Sequence, residues 1–238
     1  RGLEKIETGL GFSSKSFNKP KSLKEKGDRS ESDLSPFSKN LALGLMSGTS
    51  CDGVSIALCS FQKKNLKILN YRTYAYSSAL SQQLIEGIRL KTPEISRLNV
   101  LLGNFFTDSI LKFLKSSNVS AKNIAVIGSH GHTIYHGGSD KPKNTLQIGE
   151  PCVIAEKTGI PVIADFRMRH LACGAEGAPL IPFFDQFFFG KGEIRALQDI
   201  GVIANVTVVG KAQRVLAFDN GPGYCLIDWA VREISKGR

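Results

Sequence analysis

At 238 residues, 42% hydrophobic and 22% charged, the chain has the ordinary balance of a soluble protein and length for one large domain or two small ones. The formal net charge of +10 favours anionic partners, but aromatics do not interleave with a basic stripe, which sets nucleic acid aside. No apolar run reaches the roughly 18–20 residues that span a bilayer, so no membrane association is expected. Cys51, Cys59, Cys152, Cys173 and Cys225 are scattered and never form Cys-x-x-Cys, which indicates neither a disulfide framework nor a zinc site and points to a reducing, cytoplasmic setting.

Residues 1–40 mix Ser13, Ser14, Ser16, Ser22 and Ser30 with Lys15, Lys19, Lys21 and Lys24. Little there can be buried, so a disordered basic tail is expected; Glu4, Glu7 and Asp28 argue against a transit peptide. Arg1 in place of Met suggests a fragment or a processed end.

From Leu41 to Met46 an apolar run enters the small-residue stretch Gly48 to Gly53, and a second run from Val54 to Leu58 leaves it, predicting strand, turn, strand. Glycine lets backbone approach a ligand closely and neighbouring hydroxyls can donate to phosphate oxygens, so this turn is a candidate phosphate cradle. It is not a Walker loop, since no Gly-Lys-Ser/Thr follows. Leu66, Ile68 and Tyr71 continue an antiparallel meander. Leu84 and Ile88, then Ile95, Leu98, Leu102, Phe106 and Ile110 after Thr92-Pro93, recur at helical spacing and predict amphipathic helices covering the sheet.

Ile124 to Ile127 reads as a short buried strand ending at Gly128, Thr145 to Ile148 as a strand, Pro151 to Lys157 as a helix and Pro161 to Ala164 as another strand. Ala196 to Ile200 and Ile203 to Val209 predict a hairpin, Val215 to Phe218 a strand, and Cys225 to Ile234 a helix. The five phenylalanines between Ile181 and Phe189 read as core packing.

Three further stretches offer chemistry, and a fourth is a turn. Asp219 follows an apolar strand and precedes the turn Asn220-Gly221-Pro222-Gly223, where a carboxylate can serve as general base or merely cap the turn. His130, His132 and His136 follow a buried strand; the first two could share a face and bind metal in a metal-dependent hydrolase, or form turns and contact substrate. Asp165 to His170 offers Arg167 and Arg169 to a carboxylate or phosphate, against a bland reading as a salt-bridged loop. Gly174 to Leu180, which contains Glu176, reads as a flexible turn.

Taken in order, Gly44 to Gly53, Ile127-Gly-Ser-His-Gly-His-Thr-Ile134, Leu146 to Gly149, Ala164 to Arg167, Gly177 to Leu180, Ile203-Ala-Asn205 and Phe218 to Gly223 resemble the anhydro-N-acetylmuramic acid kinase family, from about Leu41 to the C-terminus. The resemblance implies an α/β fold of the sugar kinase, Hsp70 and actin superfamily, a ribonuclease-H-like mixed sheet flanked by helices and duplicated into two lobes that close over ATP. Residues 41–238 would supply the first lobe and the start of the second, the crossing beginning at Cys225.

Gly48, Thr49, Ser50, Cys51, Asp52, Gly53, Val54 and Ser55 would then form the first phosphate loop, Gly201 and its neighbours the second, and Asp219 the catalytic base. Arg167, His130 and Glu176 are the substrate-binding candidates. The implied reaction uses ATP and Mg2+: water deprotonated by Asp219 opens the 1,6-anhydro sugar while the freed 6-oxygen takes the γ-phosphoryl group, as in peptidoglycan recycling. A homodimer is left open, and no resident metal is expected of the protein itself.

The family usually has Gln at His132, Gly at Val202, Gln at Glu176 and Asn at Tyr224. A β-branched Val202 in a phosphate turn and an added negative charge at Glu176 are the departures with physical consequences. Family members also continue well beyond this length, which makes a truncated, non-catalytic binding remnant the alternative.

Overall fold

The computed structural model describes residues 40–62, 65–211 and 214–236. The expected basic tail lies outside them.

Seven residues of β1 (Leu41–Ser47) lie at the centre of a mixed sheet, antiparallel to β2 (Gly53–Gln62), which pairs in turn with β3 (Asn65–Ala75). On its other side β1 runs parallel to β4 (Ile124–Gly137). The far edge of β4 is shared: its second half pairs antiparallel with β5 (Asn144–Ile148), and its first half pairs parallel with the two-residue β6 (Val162–Ile163). The order β3-β2-β1-β4-β6, three antiparallel strands followed by two parallel ones, is the ribonuclease-H-like arrangement, with β5 added beside it.

One face of this sheet is covered by α1 (Ser78–Ile85), α2 (Thr92–Ser116) and α3 (Pro151–Thr158). The helix α2 starts where Pro93 supplies a pre-set φ and the Lys91 backbone N–H donates to Glu94 Oε2 at 2.7 Å. Its stripe of Leu98, Leu102, Phe106, Ile110 and Phe113 packs on Leu43, Leu45, Ile56 and Ile127, all buried in a single apolar core.

Sequence and structure part at four places. β4 does not stop at Gly128 but runs to Gly137, because both its edges find partners that keep the ladder intact through residues that read as turn formers. Asp165 to His170 is no loop: α4 (Phe166–Ala172) starts there after a left-handed Asp165. The phenylalanines of α5 (Ile181–Phe189) are not core, and the buried residue of that helix is Asp185. Lastly, the chain leaves the first sheet well before Cys225: β7 (Arg195–Ile200), β8 (Ile203–Val209) and β9 (Leu216–Pro222) form a separate antiparallel sheet, followed by α6 (Cys225–Ser235).

Candidate active site

A cleft of about 880 Å³ lies between the two sheets, with Met46 and His130 on one side and Asp199, Asn205 and Asp219 on the other. Arg167, Glu176 and the β4–β5 hairpin residues Gly137 to Asp140 complete its wall. The base candidate and all three substrate-binding candidates therefore face one space, although they are distributed over nearly 90 residues of sequence.

Asp219 lies within a strand and not just after one. β9 extends through Pro222, where Asp219 is the cross-strand partner of Asn205 and Asn205 that of Asp199. Register partners put their side chains on a common face, so the three form one row along the cleft wall. Asn205 Nδ2 donates to Asp199 Oδ2 at 3.2 Å. Sequence reading missed Asp199, since only strand register brings it two strands from Asp219; Asn205 was visible as the end of Ile203-Ala-Asn205.

Arg167, on the first turn of α4, donates from Nε to His130 Nε2 at 2.9 Å and from Nη1 to the Gly177 carbonyl at 3.0 Å. A guanidinium can only donate, so His130 Nε2 accepts and its proton sits on Nδ1, facing the Gly131 carbonyl at 3.0 Å. Burial, then the Arg167 charge, holds this imidazole below its usual range against the opposing Gly131 bond, which keeps it neutral. These bonds orient Arg167 and leave Nη2 for an anionic ligand.

Glu176 does not stand in the cleft as a bare charge. Lys143 Nζ lies 2.7 Å from Glu176 Oε1, and this ammonium lowers the carboxyl pKa by its hydrogen bond and its charge.

The three histidines go separate ways. Gly131 at φ +74° inserts a left-handed residue, and the buried positions switch from Ile127 and Ser129 before it to His132 after it. His130 faces the cleft with Arg167, His132 enters the core, and His136 Nδ1 meets Thr145 Oγ1 at 3.2 Å. The shared metal-binding face is not formed, and among the described residues no group of three or more His, Cys, Asp and Glu side chains is arranged around a metal.

The loop between β1 and β2 follows Met46 at the cleft edge. Gly48 is half-buried and Thr49, Ser50 and Asp52 are exposed, whereas Cys51, Gly53 and Val54 are buried; Ser55 is exposed but bonded to Thr73 at 2.8 Å. Ser50 Oγ donates to Asp52 Oδ1 at 2.9 Å. Hydroxyls and small residues at the apex fit a polyphosphate, and Asp52 beside them fits a magnesium ion held through water. Gly201 lies in the β7–β8 turn, its carbonyl accepting from Tyr224 N at 2.9 Å, and neither it nor residues 48–55 line the large cleft. Val202 adopts no left-handed conformation, so a β-branched residue costs that turn no backbone strain.

A family model described as anhydro-N-acetylmuramic acid kinase matches residues 40–237. The chain belongs to the anhydro-N-acetylmuramic acid kinase family. A relative of that name from Caldanaerobacter subterraneus subsp. tengcongensis is 41% identical over 217 residues, covering 84% of this chain and 55% of its own length. Another from Shewanella denitrificans is 43% identical over 195 residues, covering 78% and 52%. The chain thus spans about half the length of the curated kinases it matches. Among solved structures, the Aquifex aeolicus member of the Ppx/GppA family covers 79% of the chain and 53% of its own at TM-score 0.39 and 13% identity.

Proposed function

We propose that this chain supplies the sugar-binding cleft and the general base of an ATP-dependent kinase that opens 1,6-anhydro-N-acetylmuramic acid and yields its 6-phosphate, a step of peptidoglycan recycling in the cytoplasm. The observation that carries the reading is the convergence of Asp219, Arg167 and His130 on one cleft in a chain of this family.

In this reading Asp219 takes the proton of a water that attacks the anomeric carbon, breaking its bond to the 6-oxygen. Arg167, aimed by His130 and Gly177, pairs with the lactyl carboxylate. Lys143 masks Glu176, so the anionic sugar meets a cleft wall without an uncompensated carboxylate there. Thr49, Ser50 and Asp52 hold the phosphates and magnesium at the cleft edge, with Gly201 in the second phosphate turn. ATP supplies the γ-phosphoryl group that the freed 6-oxygen takes, the bond to the bridging oxygen breaking and ADP leaving. Such a transfer demands positioning and charge stabilisation from the protein and no covalent nucleophile.

The alternative reading is that these residues by themselves bind the sugar but transfer nothing. Incubation with radiolabelled ATP and the anhydro sugar separates the two. Labelled 6-phosphate that disappears in Asp219→Asn, by roughly 10²–10⁴-fold in kcat, supports the kinase. Sugar binding without transfer supports the remnant. Neither binding nor transfer, in this chain and in a version extended to the relatives' length, would sink both.

A further inference from the structure

His132 is fully buried yet touches polar groups on two sides of the β1–β2 turn. Its Nδ1 lies 2.9 Å from Ser47 Oγ, which lies 2.6 Å from Tyr76 OH. Its Nε2 lies 3.8 Å from Cys51 Sγ, and that thiol donates to the Thr49 carbonyl at 3.4 Å. All these contacts are used at once by one direction of donation: Tyr76 to Ser47, Ser47 to Nδ1, Nε2–H to Cys51, and Cys51 to Thr49. In the reverse direction the Thr49 carbonyl loses its thiol donor.

We propose that His132, held as the Nε2–H tautomer, is the positioning residue of the Gly48–Asp52 turn, clamping the end of β1 through Ser47 and the turn itself through Cys51. Cys51 is the left-handed residue of that turn, at φ 56°, and its carbonyl is fastened from α1 by Ser81 Oγ at 2.7 Å. The exposed apex of Thr49 and Ser50 is therefore carried on a buried frame, and a ligand need not order it. Burial, reinforced by the neighbouring His130, pushes the His132 pKa down to about 4, so the ring stays neutral and the direction of donation is kept. The consequence for phosphate binding rests on the function proposed above; the clamp itself does not.

A glutamine amide offers the same pair of groups, one acceptor and one donor, whereas leucine offers neither. Nitrogen NMR of the 238-residue chain should show the His132 proton on Nε2 and no titration near pH 6.5. In His132→Leu, exchange of the Cys51 amide, which donates to the Gly48 carbonyl at 3.1 Å, should quicken by about tenfold or more while α2 amides keep their protection, and His132→Gln should restore it. A proton on Nδ1, an ordinary titration, unchanged exchange at the turn in His132→Leu, or no rescue by glutamine would overturn the clamp. If His132→Leu fails to fold, the tautomer and the glutamine variant still decide. None of these readouts needs nucleotide or turnover, so their failure is separate from failure of the kinase reading.

Discussion

Gly131 adopts φ +74°, and a Cβ built on it would sit 2.8 Å from the Ile148 carbonyl oxygen. Both the backbone and the space refuse a larger residue. Gly131→Ala should therefore lower stability by about 1–3 kcal/mol, measured as a shift of the urea midpoint with unchanged slope. An unchanged midpoint would show that β4 can change phase without this residue. The same glycine sends His130 to the cleft and His132 to the core, so the variant should also weaken sugar binding on the proposed reading. At Glu176 the structure corrects an electrostatic worry by supplying Lys143, whose distance in sequence, 33 residues, hid the pair.

Among the elements, β4 and α5 were the least legible. Glycine and histidine runs break strands in isolation, but β1, β5 and β6 each give β4 a ladder, and paired backbone outweighs weak local preference. In α5 five phenylalanines occupy nine residues, more than one apolar stripe can turn inward, and Phe183 is left 81% exposed. The last helix poses the opposite case: α6 has a clear apolar face but buries no residue, with Leu226, Trp229 and Ile234 all exposed. Trp229 is the sole tryptophan, so its fluorescence reports this face directly. Red-shifted emission quenched by iodide is expected of the chain alone; protected, blue-shifted emission would mean that something covers α6.

For the molecule as a whole, the buried His132 links folding to pH. Its pKa is depressed to about 4 in the fold and ordinary, near 6.5, in the unfolded chain, so the unfolded state binds the proton first. Stability should be undiminished by this group above about pH 6.5, fall as pH drops through the interval, and be lower by about 3 kcal/mol below pH 4. Denaturant titrations across that range should show the slope, and His132→Gln should make it shallower, with His130, also held below its usual range by burial, keeping its share. A wild-type curve no steeper than that of the glutamine variant would remove His132 from the account.

The sequence by itself determined the strand-turn-strand opening, the amphipathic helices and the family, and it singled out Asp219 and Arg167 as candidates, because these depend on periodicity, turn chemistry and order along the chain. Tertiary structure alone decided that Asp219 stands on a strand beside Asn205 and Asp199, that Arg167 is aimed by His130, that Lys143 masks Glu176, and that His132 turns into the core against Ser47 and Cys51 and away from His130. Each of those depends on register, strand phase or contact between residues far apart in the chain, and such relations exist only once the sheets have formed.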